Sequence, residues 1–422
     1  MTLSNALSAK SLKRVVRRGD SARFKIDLAK DREAIITEIA ESASCREIDL
    51  TSFVKSKIKG RRCISYNNYN ANLLLRAVAK HITSRFRIRN PSRESIVDGV
   101  IESLIESTPM YIIRRDIKSF YETIPIDEVR KRLIYDTAIP RTTRHYIRSF
   151  FETHCNGAAA GLPRGVGLSS TIVELAMERF DKEVRGLEGV YKYFRYSDDI
   201  LIFTFIEPTQ IEIKIGELLP EPMTFNTEKF GTTSLINKDK KSTSKKSIEY
   251  LGYKFIVSDY CDSNKHRKVE VTLSDKKTIK LKTRIVLALN EFVKTGNGNL
   301  LCERMEFLSG NYRLRRVGNS YVASNDFFLS GIYYSYRHCG IHTCDGSEEQ
   351  TPPELTLVNL FYHNLIRNKR HRFRRYLLQN LNHQQMERLR KVSFPHGFSS
   401  RMSIKIRYDR LRSIKSVWQN AK

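Results

Sequence analysis

The sequence predicts an α+β protein, and three observations point there. Tyr191–Phe205 (YKYFRYSDDILIFTF) sets runs of aromatic and β-branched residues on either side of Ser197-Asp198-Asp199, the composition of two buried strands joined by a tight polar turn. Met110–Ile117 (MYIIRRDI) and Ile248–Val257 (IEYLGYKFIV) read as further strands. Elsewhere apolar residues recur at helical spacing, as at Leu73, Leu74, Val78 and Ile82.

Charge and length narrow the class. The 422 residues carry 74 Lys+Arg against 46 Asp+Glu, a net charge of +28. An excess of that size speaks of a polyphosphate partner rather than of a fold. With 40% hydrophobic and 10% aromatic residues the chain is globular, and it is long enough for two or three packed units. It has no apolar run of about 18 residues, and the first residues, MTLSNALSAKSLKRVVRRGD, lack a signal-peptide core. Seven scattered cysteines suit a reducing compartment. The expectation is a soluble, cytoplasmic, nucleic-acid-binding protein without a membrane partner.

Taken in order, residues 1–24 are a basic arm with six Lys/Arg and one acid, Asp20, either solvated or in contact with phosphate. Residues 25–60 predict one or two short helices, Asp31–Ser44 the clearest, and Lys55–Arg62 (KSKIKGRR) is a second basic cluster around Gly60. The helical pattern of Asn70–Arg89 leads into Arg85, Arg87, Arg89 and Arg93, just before a further helix, Glu94–Glu106. Arginines so placed are either a solvated face or a grip on a triphosphate or template backbone, with Arg85 and Arg87 the nucleotide-binding candidates. The strand Met110–Ile117 brings Asp116 to its end, a position where sites are often built, and Pro125 introduces the helix Asp127–Tyr135.

Asn156–Ser170 (NGAAAGLPRGVGLSS) is the stretch richest in glycine and alanine, and it opens an amphipathic helix, Ser169–Val184. Such a loop is either a plain capped connection or a cradle for an anion. After the acidic hairpin come a polar turn, Met223–Phe230, and a strand, VEVTL from Val269, that passes into a lysine-rich helix ending near Val293. Residues 300–364 are aromatic-rich and expected to be helical. Residues 365–422 hold 16 Lys/Arg against Glu387 and Asp409 alone, half of the chain's net charge. Within them Arg370, Arg372, Arg374 and Arg375 lie among Phe373 and Tyr376, charge for phosphates beside rings on which bases stack. The composition divides into an extension over 1–60, a central region over 61–260 and a basic, mainly helical region over 261–422.

Two clusters invite a metal. Asp198 and Asp199, clamped between apolar strands, repel one another, and a divalent cation relieves such a pair; an ordinary acidic turn is the plainer reading. His338, Cys339, His342 and Cys344 lie within seven residues, but zinc sites pair two separate knuckles and no second pair is present.

The order of these pieces resembles the fingers, palm and thumb of a reverse transcriptase over about residues 60–400. RDIKSFYETIP resembles the family's first palm motif, GLPRGVGLSS its second and YSDD its third. FNTEKF resembles the turn that supplies a lysine near the phosphates, and YLGYKF the primer-gripping strand. The fold implied is a right-hand polymerase: fingers and palm over 61–260, then a thumb and RNA-binding region over 261–422. Within the family, DIKSFYE, GLPRG and FLSGNYRL resemble the bacterial defence-associated enzymes, the DRT or "unknown group" class, related to retron and group II intron enzymes. Arg164 departs from the glutamine of many relatives.

The resemblance implies RNA-directed synthesis of DNA from dNTPs, copying a dedicated non-coding RNA in antiphage defence. In-line displacement of pyrophosphate calls for two divalent ions about 4 Å apart. Asp116 and Asp198 are the bridging candidates, Asp199 a helper and the Ile117 carbonyl a further ligand. Mg2+ is the expected ion, with Mn2+ the alternative. Lys229 would meet the leaving pyrophosphate. Tyr121 would lie under the sugar and exclude a 2′-hydroxyl, although it or Phe120 is plain core. Pro163, Arg164 and Gly165 would border the nucleotide, and Leu251 and Gly252 the primer. Untemplated or protein-primed DNA synthesis is the alternative. A non-catalytic RNA scaffold would not need the three carboxylates, nor a nucleotide cyclase the basic tail.

Overall fold

The computed structural model describes residues 6–17, 19–58, 60–89, 91–155, 161–228, 230–239, 244–261, 265–315 and 327–418. The chain divides into two units. The first holds Met1–Ser92 and Tyr111–Thr232; the second holds Arg93–Met110, Thr233–Arg316 and Asn325–Lys422.

The first unit is built on the helix Tyr69–Arg85. Asn68 caps it by accepting the Asn70 N–H (2.8 Å), and its apolar stripe, including Leu73, Leu74, Val78 and Ile82, is fully buried. The helices Gly167–Ala176 and Arg32–Cys45 pack on it, and Ile126–Tyr135 packs on Arg141–His154, which buries Tyr146, Ile147, Phe150 and Phe151. The cluster Lys55–Arg62 is not a loop of loose charges. It lies in an antiparallel hairpin of β1 (Val54–Ile58) and β2 (Arg61–Ser65) that turns at Gly60, where φ is +75°.

The strands that carry Asp116 and Asp199 form the sheet of this unit. β3 (Met110–Asp116), β4 (Val190–Tyr196) and β5 (Asp199–Thr204) are antiparallel, with β5 in the centre. β6 (Gly231–Leu235) comes next in the chain, and the division between the units falls inside it. Strand alternation sends Ile113, Ile200, Ile202 and Tyr193 into the core, so Arg114, Asp116 and Asp199 share the opposite face. The helix expected over Ser169–Val184 is two: Gly167–Ala176 and Glu178–Arg185, meeting at the buried Met177.

The second unit joins the helix Arg93–Ile105 to a five-stranded sheet. Its strands are β7 (Lys245–Tyr250), β8 (Tyr253–Ser258), β9 (Val269–Leu273), and, further along, β10 (Asn311–Arg315) and β11 (Phe327–Gly331), which belong to another sheet, then β12 (Gly340–Thr343) and β13 (Gly346–Glu349). The five-stranded order is β13-β12-β9-β8-β7, while β10 pairs with β11 and, in parallel, with β14 (Ser403–Lys405). Residues 300–364 are therefore not simply helical. Two helices, Gly298–Ser309 and Pro353–Arg367, flank four short strands, whose brief apolar runs lack a strand-like alternation to announce them. No helix among the described residues is long and apolar enough to cross a membrane.

Candidate active site

Register brings the aspartates together. In the β3–β5 pairing Asp116 stands directly opposite Asp199, and Asp198 occupies the tip just before it. The Ile117 N–H donates to the Asp198 carbonyl (2.9 Å), pinning the end of β3 to the tip. Asn226 supports Asp116 twice, its N–H to the backbone carbonyl (2.7 Å) and its Nδ2 to Oδ2 (3.3 Å). Asp199 is forked by Arg114, Nε to Oδ1 and Nη2 to Oδ2, both 3.1 Å. Burial nonetheless pushes the Asp199 carboxyl up, and the charges of Asp116 and Asp198 add to it beyond what Arg114 takes back.

The tip itself is held from beneath. Ser197 is left-handed (φ 59°), and Arg195 Nη1 donates to its carbonyl at 3.1 Å. Arg195 is almost wholly buried, with Nε and Nη2 on Asp181 (2.7 Å each) and Nη2 on Glu174 (2.6 Å). The motif helices thus supply two carboxylates to one guanidinium under the turn. The sequence signal for this was faint, an arginine inside a strand pattern.

The glycine loop is described from Gly161 onward; Asn156–Ala160 lie outside the described residues, as does Lys229. The loop is stitched to β2, since the Ile64 N–H donates to the Arg164 carbonyl (2.8 Å) and the Arg164 N–H to the Arg62 carbonyl (3.4 Å). At Gly165 (φ +97°) a Cβ would lie 2.4 Å from the Ile64 carbonyl oxygen, so only glycine fits that approach. Of the two neighbouring rings, Phe120 is fully buried in the core and Tyr121 is half-buried against its edge. The Arg164 guanidinium lies 4.7 Å from the Tyr121 ring centroid and forks onto Glu122 at 3.0 and 3.2 Å.

Residues 54–255 match the family described as reverse transcriptase (RNA-dependent DNA polymerase). This stretch is a reverse transcriptase domain. The protein is accordingly an RNA-directed DNA polymerase, a nucleotidyltransferase that takes an RNA template and dNTPs and yields DNA. No curated protein matches the chain.

Reverse transcriptases use divalent metal ions, and the donors of this one can be tested for fit. Among the described residues no three His, Cys, Asp or Glu side chains form a ready metal cage. Asp116, at the end of β3, and Asp198, whose carbonyl accepts the Ile117 N–H, are hard oxygen donors at neighbouring backbone positions, whereas Asp199 is forked to Arg114. That set fits Mg2+, which takes one or two carboxylates and completes its shell with water and substrate phosphates. The histidine–cysteine cluster does not fit zinc. His338 is bonded to Glu94 (2.7 Å) and Asp98 (3.1 Å), and His342 to Ser347 and the His338 carbonyl (2.8 Å each).

The other expected residues of the reverse transcriptase are spread over both units. Arg85 is ion-paired with Asp136 (3.2 Å), and Arg87 is exposed in a left-handed conformation just beyond the helix end. Arg93 belongs to the second unit, where it donates to the carbonyls of Leu251 and Ser335 (3.0 Å each) over the ring of Tyr253. Leu251 (φ 48°) and Gly252 (φ 87°) form the two-residue turn between β7 and β8, the type I′ geometry. Pro163 is buried beside Arg164. In the helix Arg372–Asn380, Arg375 is exposed, as is Arg370 just before it. Arg372 is on Asn290 (2.9 Å) and Arg374 on the Arg367 carbonyl. Phe373, expected to stack on bases, is instead core, and Tyr376 packs on Phe292 with its hydroxyl on the Val293 carbonyl. The rings are the apolar face of an amphipathic helix, a role that charge counting obscures.

Proposed function

We propose that this reverse transcriptase copies a dedicated non-coding RNA into DNA in antiphage defence, with Asp116 and Asp198 holding two Mg2+ ions. The observation that supports the site is the β3–β5 register, which sets Asp116 against the Asp198-Asp199 tip. The defence role is supported by the likeness of DIKSFYE, GLPRG and FLSGNYRL to that class. Bound ions would activate the primer 3′-hydroxyl and offset the charge that builds on the phosphates.

The chain's own residues do the rest. Asp116 at the end of β3 and Asp198 at the neighbouring tip present oxygens, the Ile117 carbonyl a further one, and Arg114 keeps Asp199 oriented. Tyr121 excludes a 2′-hydroxyl, with Pro163, Arg164 and Gly165 beside it. Arg85 and Arg87 face the triphosphate and Lys229 offers charge or a proton to pyrophosphate. Leu251 and Gly252 support the primer strand, and Arg370, Arg372, Arg374 and Arg375 grip RNA. Sequencing the nucleic acid that co-purifies with wild-type protein, and with Asp198→Ala, tests the template. A single RNA in both and its complementary DNA in wild type alone is expected; a random RNA population would sink the dedicated template.

A further inference from the structure

Arg164 occupies the nucleotide side of the loop, but it is not a free cation. Its Nε and Nη2 are both spent on Glu122, at 3.0 and 3.2 Å, and its plane covers the ring of Tyr121. Burial pushes the Glu122 carboxyl up, but the Arg164 fork outweighs it and holds the group below its ordinary value. The same ring is tied at its tip, where the Tyr121 hydroxyl and Ser170 Oγ are 3.1 Å apart. Its backbone carbonyl accepts the Leu162 N–H at 2.7 Å. Face, tip and main chain of Tyr121 are thus all restrained, and the guanidinium over the face is held in a fork by Glu122.

We propose that Glu122 and Arg164 are positioning residues that immobilise the ring of Tyr121 and so set how strictly ribonucleotides are excluded. A steric gate discriminates only as far as its ring cannot yield. A loose ring moves aside for a 2′-hydroxyl, whereas a clamped one must be pushed against a cation–π interaction and a hydrogen bond. The inference rests on Tyr121 as the residue under the sugar.

The test is single-nucleotide incorporation by the full chain on a primer–template with Mg2+, comparing kcat/KM for a dNTP with that for the matching rNTP. Tyr121→Ala is expected to lower that ratio most. Glu122→Ala should lower it by roughly fivefold or more, and the double variant should fall no further than Tyr121→Ala, because both act through one ring. A Glu122→Ala ratio within about twofold of wild type, or additive losses in the double variant, overturns the clamp while the gate stands. Equal rises in KM for both nucleotides in Glu122→Ala do the same, since they place the Glu122–Arg164 pair in nucleotide binding rather than in sugar discrimination. An unchanged ratio in Tyr121→Ala overturns the gate and the clamp with it. If thermal melting shows Glu122→Ala unfolded, Glu122→Gln replaces it, with a smaller loss in the same direction expected and a wild-type ratio overturning the clamp.

Discussion

Two hairpin tips in this protein solve the same mechanical problem with opposite charge. At Ser197-Asp198-Asp199 and at Leu251-Gly252 a non-glycine residue is left-handed, and in each case an arginine donates to its carbonyl: Arg195 to Ser197 at 3.1 Å, Arg93 to Leu251 at 3.0 Å. The support differs. Arg195 is enclosed by Asp181 and Glu174, so its charge is cancelled and the tip above it stays negative. Arg93 has one carboxylate, Glu94, and otherwise carbonyls and the Tyr253 ring, with Lys277 packed against Gly252. One tip carries carboxylates, the other has Arg93 and Lys277 beside it.

The largest expected effect separates the tips by chemistry. Asp198→Ala should lower primer extension by at least about a thousandfold in steady-state assays with dNTPs and Mg2+, while RNA affinity in filter binding stays near wild type. Comparable loss of extension from Leu251→Ala would erase the distinction. Next comes the buried support. Arg195→Ala leaves Asp181 and Glu174 facing each other in the core and should cost about 3–5 kcal/mol in chemical denaturation. Arg93→Ala, which mainly loses hydrogen bonds to carbonyls, should cost about 1–3 kcal/mol. Equal costs would mean that the carboxylates under the catalytic tip are not the reason for its rigidity.

The readability of these features from sequence follows how local each signal is. The strands around Asp116 and the Asp198-Asp199 turn announce themselves through composition within a few residues, and so does the helix Tyr69–Arg85. The α+β class follows from them. The clamp on Ser197 is not legible, because Arg195 finds Asp181 and Glu174 across 14 and 21 residues on two other elements. Likewise Lys55–Arg62 shows as charge, while the hairpin it forms depends on pairing with itself and with the Arg164 backbone. His338 and His342 look like ligands until Glu94 and Ser347 claim their nitrogens.

Two smaller effects sharpen the contrast. Replacing Arg370, Arg372, Arg374 and Arg375 by Gln should flatten the salt dependence of RNA binding by roughly 0.7–0.9 log units for each phosphate no longer neutralised, read from affinities across a salt series. An unaltered slope would remove this helix from the RNA surface. At the turns, Gly252→Ala forces a side chain to φ +87° and should lower stability by about 1–2 kcal/mol. Ser197→Gly, where relief of strain and added chain entropy oppose, should stay within about 0.5 kcal/mol of wild type. Thermal melts of the two variants give the comparison directly.

The separation in sequence between the partners of the site has a consequence for its birth on the ribosome. Arg114 and Asp199 are 85 residues apart, and no helix or turn near Asp116 can substitute for the strand that completes its surroundings. Closing so long a loop is slow compared with forming the helices on either side, and it waits for β5 to be synthesised. A chain interrupted before that strand therefore contains the first motif intact, yet has no paired carboxylates with which to begin chemistry. The carboxylate pair waits for β5, so products cut short before that strand are inert by construction.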